Sequence, residues 1–80
     1  MMRGETTSTA KELLGKEVLD ANAKVIGRVV DIQLDMDKAI VLNIVLKTGL
    51  VKKSYVLPRD IEKIGDKIVL RITGDELRKA

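Results

Sequence analysis

Short β-branched runs interrupted by glycine, asparagine and aspartate most constrain what this chain can fold into. Residues 13–20 and 25–32 are apolar segments, each split by a glycine, on either side of the polar turn 21–24. Such runs favour β-hairpins over helices. The same pattern continues to residue 72. The sequence therefore predicts an all-β fold: a small antiparallel barrel or sandwich of five to six short strands, closed to hide its edges.

The chain is short and its core is aliphatic. Its 80 residues are 45% hydrophobic but only 1% aromatic, so valine, isoleucine and leucine carry the apolar mass. A chain of this size buries only roughly 60% of the surface that its unfolded form exposes. Pairing with a second copy would add apolar burial, and we therefore expect a homodimer.

The sequence offers few groups for catalysis. It has no cysteine and no histidine, which removes disulfides, thiolate metal sites and the commonest acid/base group. We expect no enzyme activity, no cofactor and a cytoplasmic location. No apolar run approaches the ~20 residues of a membrane span, so no membrane insertion is expected. The net charge of +3 permits an anionic partner without requiring one.

The two ends of the chain are predicted to flank the domain. Residues 1–8 are polar and small and predict a flexible tail. Thr9 and Glu12 fit a capping box, which predicts one helical turn from Ala10 to Leu14, stopped by Gly15, that plugs one end of the sheet. The domain proper spans 9–74. Residues 75–80 form either another helical turn anchored by Leu77 or a frayed end.

The predicted strands cover 16–20, 25–35, 39–47, 50–57, 61–64 and 67–72. Asn22 is expected to take the left-handed conformation in the first turn, and Pro58 to close the fourth strand. In the second strand Ile26, Val30, Ile32 and Leu34 share one parity, which Arg28 breaks. Either Arg28 lies at a rim, or a bulge near Gly27 places Val29 inside.

The third strand is apolar on both faces. Ile40, Leu42, Ile44 and Leu46 form one unbroken face, and Val41 and Val45 lie opposite them around Asn43. A strand of this kind is covered on both sides. The cover of the second face is either the terminal turns or a second copy. We favour the second copy, with an interface formed by Val41, Asn43, Val45, Leu50 and Val51.

Charged residues suggest two further sites. Lys47, Lys52, Lys53 and Arg59 gather near one hairpin and could hold phosphates, but lysines that protect a sheet edge from aggregation explain them better. Asp31, Asp35 and Asp37 could form a cation loop. Their spacing matches no complete loop, and Asp35 with Asp37 is typical of a hairpin turn.

The order and spacing of several motifs resemble the PRC-barrel family. These are Leu14-Gly15-Lys16-Glu17-Val18, Asp20-Ala21-Asn22, Val25-Ile26-Gly27-Arg28-Val29-Val30-Asp31, Val56-Leu57-Pro58 and Ile64-Gly65-Asp66. The resemblance covers roughly residues 9 to 72. Ala23 departs from the family, which more often has glycine in this turn.

The resemblance implies a β-barrel adaptor rather than an enzyme. Stand-alone copies of this length look like archaeal proteins, some of which act in cell division by linking to the membrane anchor of the division ring. The family also includes the C-terminal barrel of a ribosome maturation factor, so an RNA- or ribosome-associated module is the alternative. Gly15, Asn22, Gly27, Asp31, Pro58 and Gly65 are the residues expected to define the fold.

Overall fold

The computed structural model describes residues 8–79. The predicted tail 1–8 lies outside the described residues except for Ser8, which is exposed. Two 3₁₀ turns, at Pro58–Asp60 and Gly74–Glu76, accompany one short helix and seven strands. The helix and strands are α1 (Ala10–Leu13), β1 (Glu17–Leu19), β2 (Val25–Asp35), β3 (Ile40–Lys47), β4 (Lys53–Val56), β5 (Ile61–Ile64), β6 (Ile68–Leu70) and β7 (Arg78–Lys79).

All strands belong to one curved sheet in the order β5-β6-β1-β2-β3-β4-β7. The all-β prediction is confirmed. The expectation of wholly antiparallel pairing is wrong, because β1 and β6 pair in parallel, with Val18 opposite Ile68. Within residues 8–79 the sheet is also open: β5 and β7 are its two edges. This parallel pair joins distant parts of the chain and lets Ile68 and Leu70 face the same core as Val18.

The core fills the inner face of the sheet. Its buried members are Val18, Val29, Ile44, Leu46, Val56, Ile68, Leu70 and Leu77. Leu13 of α1 packs against them, as expected for a helical turn that plugs one end. Leu77 is the predicted anchor near the C-terminal end. It follows the 3₁₀ turn at Gly74–Glu76 and lies buried in the core, in agreement with the first of the two expected structures, and the chain then continues into β7.

The predicted capping box is present. The Thr9 backbone N–H donates to Glu12 Oε1 at 2.8 Å, and the Glu12 N–H donates to Thr9 Oγ1 at 3.1 Å. Gly15 has φ +88, which favours glycine, and its N–H donates to the Val29 carbonyl. Local sequence therefore fixes both the start and the end of this turn.

The turn between β1 and β2 differs from the prediction. Ala23, not Asn22, has the positive φ, at 63°. The Asn22 N–H instead donates to Asp20 Oδ1 at 2.8 Å. Because the Asp20 carboxylate holds the start of the turn, the left-handed residue moves one position along the chain.

Two bulges control which residues of β2 face the core. Val18 pairs with Gly27 but Leu19 pairs with Val25, so Ile26 is an extra residue. This bulge lies beside Gly27 and Val29 is buried, so the second of the two alternatives for this strand is correct. Val30 is another extra residue, because Val29 pairs with Leu46 and Asp31 pairs with the next residue of β3, Val45. It points away from the core and is 40% exposed, so its predicted parity with Ile32 is wrong.

A third bulge interrupts β3. Gln33 pairs with Asn43, but the next pair is Leu34 with Val41, so Leu42 is the extra residue. Val41 therefore returns to the side of Ile44, and Ile40 moves away from it. The predicted unbroken face of β3 is wrong for this reason, although Ile44 and Leu46 do lie in the core.

Candidate interaction surfaces

An apolar groove lies where the β2–β3 hairpin extends past the core. It has a volume of about 270 Å³ and opens between the hairpin, α1 and the edge strand β5. Its lining residues are Ser8, Ala10, Leu13, Ile32, Leu34, Val41, Ile44, Pro58, Ile61 and Ile64. The set is called the apolar groove below. Apart from Ser8, these residues have no polar side chain, so the groove suits an apolar partner surface rather than a charged ligand.

Register explains why the groove exists. Leu34 and Val41 form a pair beyond the last core pair, Ile32 with Ile44. The bulge at Leu42 turns Val41 toward this side. Leu34, Val41 and Ile64 remain partly exposed there, because no element of residues 8–79 covers them.

The hairpin tip beside the groove is also apolar. Met36 is 78% exposed, and Ile40 and Leu42 are about half exposed. Asp35 Oδ1 shapes the tip by accepting from the N–H groups of Asp37 and Lys38, each at 3.1 Å. The prediction of a turn over 35–38 is thus confirmed, and a projecting apolar tip stands next to an apolar recess.

The outer face of the sheet carries a row of cations. Arg28 pairs with Lys47 across β2 and β3, and Lys47 pairs with Lys53 across β3 and β4. These three residues are called the basic row. All three are exposed. Arg28 also lies 3.3 Å from Glu17 Oε2, on β1.

The loop from β3 to β4 is the most exposed apolar segment in the described part of the chain. Leu50 is 92% exposed and Val51 is 88% exposed. The prediction of a strand from residue 50 is wrong at its start, because β4 begins only at Lys53. The Thr48 N–H donates to the Lys52 carbonyl at 3.0 Å and closes the loop, which leaves these two side chains at its tip.

The five residues predicted as a dimer interface do not form one surface. Val41 lines the apolar groove. Asn43 and Val45 lie on the opposite face and are already buried within the chain, at 8% and 6% exposed. Leu50 and Val51 lie past the other end of β3. The bulge at Leu42 separates Val41 from Asn43, and the length of β3 separates it from the loop.

The predicted basic group is only partly brought together. Lys47, Lys52 and Lys53 are near one another at the β3–β4 loop, but Arg59 lies in the 3₁₀ turn beyond the far end of β4. Lys47 lies on β3, which has a hydrogen-bonded neighbour on each side, so it does not protect a sheet edge. Lys53 precedes the two residues of β4 that pair with β7, so edge protection by this lysine stays a prediction.

Among residues 8–79, the acidic side chains do not cluster into a metal site. Asp31 Oδ1 accepts from the N–H of Ile32, and Asp35 serves the hairpin turn. Asp20 has the most hydrogen bonds. The N–H groups of Lys24, Gly74 and Asn22 donate to it at 2.8 to 3.0 Å, and they hold its pKa below its ordinary value, although burial acts in the opposite direction.

Two glutamates have structural roles. A hydrogen bond from Lys67 lowers the pKa of Glu17, and the Thr9 backbone and hydroxyl lower the pKa of Glu12. Both groups are ionised structural acceptors at neutral pH.

The fold-defining residues lie mostly in turns and close contacts. A Cβ atom at Gly27 would lie 2.5 Å from the Lys47 carbonyl oxygen, so only glycine fits beside β3. Pro58 closes the segment after β4 and opens a 3₁₀ turn, as expected. Gly65 follows β5 in an open turn with free space around it. None of these residues lines the apolar groove except Pro58.

These observations describe a small all-β domain with exposed apolar surfaces. A family model for the PRC-barrel domain matches residues 5–77. The chain therefore belongs to the PRC-barrel family, which indicates a protein-interaction module. A search of curated proteins found no match. In the described region, no helix is long and apolar enough to cross a membrane.

Sequence reasoning missed the apolar groove. Its residues come from α1, β2, β3 and β5, and no spacing along the chain joins them. The one available signal was the excess of apolar residues over 32–44, which indicates a strand pair covered on both faces without revealing its bulges.

Proposed function

We propose that this protein is a non-enzymatic adaptor that acts as a homodimer through the apolar groove and the adjacent hairpin tip. The observation that carries the proposal is the apolar groove itself. Its lining is apolar, and it opens on the same side as several exposed apolar side chains. Contiguous exposed apolar surface in a small soluble domain marks an interaction site.

A second copy is the occupant that fits best. An isologous dimer needs one surface that carries both halves of the contact. Here a projecting tip with Met36 and Leu42 stands beside a recess that contains Leu34 and Val41. The tip of one copy can enter the groove of the other, and the reverse contact forms by symmetry.

Size supports the same conclusion. A chain of 80 residues leaves a large share of its apolar surface exposed as a monomer. The principal extents are 38 × 30 × 19 Å, so the domain departs from a sphere, and the β2–β3 hairpin carries exposed apolar surface at its tip. Burying it against a partner adds stability that the core alone cannot supply.

The test is the solution mass of the Leu34→Arg variant. Leu34 is 55% exposed and lines the apolar groove, so arginine there keeps the fold but places a charge in the interface. Light scattering should give a dimer for the wild type and a monomer for this variant. Val30→Arg is the matched control, because Val30 is an exposed residue of the same strand outside the groove. A monomeric wild type, or equal masses for the two variants, would refute the dimer.

We further propose a cell-division setting in an archaeal cytoplasm, as the resemblance of stand-alone members suggests. The dimer would then present two copies of each remaining surface to a division-ring anchor. The alternative, an RNA- or ribosome-associated module, draws support from the basic row. It lacks the aromatic stacking platforms of single-strand binders, since Tyr55 is the chain's one aromatic residue.

A further inference from the structure

The β3–β4 loop combines two features that folding does not explain. Its apolar tip, Leu50 and Val51, is almost fully exposed. The segment from Lys47 to Lys53 contains three lysines and no acidic residue. The apolar side chains stabilise nothing within residues 8–79, and the lysines stand directly behind them.

The basic row extends this charge across three strands. On one face of the sheet, Arg28 lies directly opposite Lys47, and Lys47 lies directly opposite Lys53. Like charges in directly opposed positions destabilise a sheet. Within residues 8–79, Lys47 and Lys53 form no ion pair: the nearest acids are Glu17, which pairs with Arg28, and Asp31, which lies in the next row opposite Val45. The row is therefore a stability cost that an anionic partner would offset.

The loop and the basic row lie at one end of the molecule. β3 runs from the hairpin tip at Ile40 to Lys47, about 24 Å away at the usual rise per residue. The groove reaches along β3 as far as Ile44, on the face opposite Lys47, so the loop and the groove are separate surfaces that can be used at once.

We propose that this end docks on an anionic lipid bilayer, with Leu50 and Val51 inserted at the interface and the lysines on the headgroups. In such a bilayer an apolar acyl layer lies beneath a layer of anionic headgroups. The apolar tip would reach the acyl layer while the lysines behind it contact the headgroups. Phosphates of RNA would be met by the lysines but offer nothing to Leu50 and Val51. The proposal revises the expectation that no part of the chain enters a membrane, which rested on the lack of a spanning segment.

Co-sedimentation with vesicles tests the proposal. The wild type should bind vesicles of equal parts phosphatidylglycerol and phosphatidylcholine at low salt, and should not bind pure phosphatidylcholine. Leu50→Ser with Val51→Ser should weaken binding at least about ten-fold. Lys52→Gln with Lys53→Gln should weaken it on the order of 25-fold, since each cation contributes about five-fold.

Matched controls come from residues outside the loop and outside the proposed dimer contact. Val30→Ser removes an exposed apolar side chain from β2, and Lys38→Gln with Lys63→Gln removes two exposed charges elsewhere. Both should bind as the wild type does. All altered side chains are exposed, so circular dichroism should show unchanged folds.

Two further binding measurements test whether any polyanion can replace the lipid surface. Polyuridylate and polyglutamate at the same ionic strength should bind weakly, and independently of Leu50 and Val51. Absence of vesicle binding would overturn the proposal. Vesicle binding that survives loss of the apolar tip, or binding to RNA that exceeds binding to vesicles, would also overturn it.

Discussion

Arg78 Nη1 lies 3.2 Å from Asp60 Oδ2, and this ion pair joins the two ends of the open sheet. Asp60 immediately precedes the edge strand β5, whereas Arg78 begins the opposite edge strand β7. The same carboxylate oxygen accepts from the Leu57 N–H at 3.1 Å. Asp60 is buried, so these bonds are shielded from water. A side-chain contact thus stands where a closed barrel would have backbone pairing.

Asp60→Ala should destabilise the domain. The Leu57 N–H would lose its acceptor in a partly buried position, which costs roughly 1–3 kcal/mol, and Arg78 would lose its partner. Urea unfolding measures the change. The control is Glu62→Ala, which breaks the Arg71–Glu62 pair, exposed at both ends; its expected cost is about 0–1 kcal/mol. Equal losses for the two variants would contradict the role given to Asp60.

Gly27→Ala should destabilise the sheet at the β2–β3 crossing. Its Cβ would lie 2.5 Å from the Lys47 carbonyl oxygen, so backbone must move. Overpacking of this kind costs about 1–3 kcal/mol. Gly65→Ala is the matched control because nothing lies within 4 Å of its Cβ position. Thermal unfolding should show a lower midpoint for the first variant only, and a neutral Gly27→Ala would refute the close approach.

Ala23→Gly should stabilise the protein. Ala23 has φ 63, a left-handed conformation that costs an L-residue about 1–2 kcal/mol. Glycine removes this strain but loses about 0.4–1 kcal/mol through the entropy of the unfolded chain. The net gain in free energy of unfolding is therefore at most about 1.5 kcal/mol. Ala21→Gly lies in the same turn without a positive φ, so it should only destabilise. Chemical denaturation of both variants checks the contrast in sign.

Asp20 should make stability sensitive to acid. Its pKa is lower in the folded protein than in the unfolded chain, chiefly because the Lys24 N–H and other backbone donors bind the carboxylate. The stabilisation is therefore complete above the unfolded value of about 4 and is lost as the pH falls through the lowered pKa.

Asp20→Asn should flatten this pH dependence and lower stability at neutral pH, since the amide nitrogen that replaces Oδ2 cannot accept from the Gly74 N–H. Glu12 and Glu17, with lowered pKa values of their own, leave some acid sensitivity behind. Melting temperatures measured from roughly pH 2 to pH 7, a range that brackets the ordinary carboxyl pKa, give the profile. Asp66→Asn, in the exposed β5–β6 turn, serves as control and should leave the melting temperature at neutral pH unchanged.

Local signals in the sequence were sufficient for the caps and turns. The capping box of Thr9 and Glu12, the stop at Gly15 and the turn at Asp35 depend on residues a few positions apart, and each is present. Strand β2 and strand β5 match their predicted bounds, because turn residues flank them on both sides.

Long-range features could not be predicted in the same way. The parallel pair of β1 with β6 joins residues about fifty positions apart, and the bulges at Val30 and Leu42 depend on how neighbouring strands align. Since an extra residue reverses the faces of everything beyond it, the faces of β2 and β3 were assigned incorrectly, and the groove, and with it the candidate site, remained hidden.

The extra residue at Leu42 has an evolutionary consequence. Adding one residue to β2 opposite Leu42 would restore regular pairing there and exchange the sides on which Ile40 and Val41 appear. Related domains with nearly the same strand composition would then bind different partner proteins after the insertion or deletion of a single residue. Specificity in such a scaffold is expected to diverge through insertions and deletions before it diverges through substitutions.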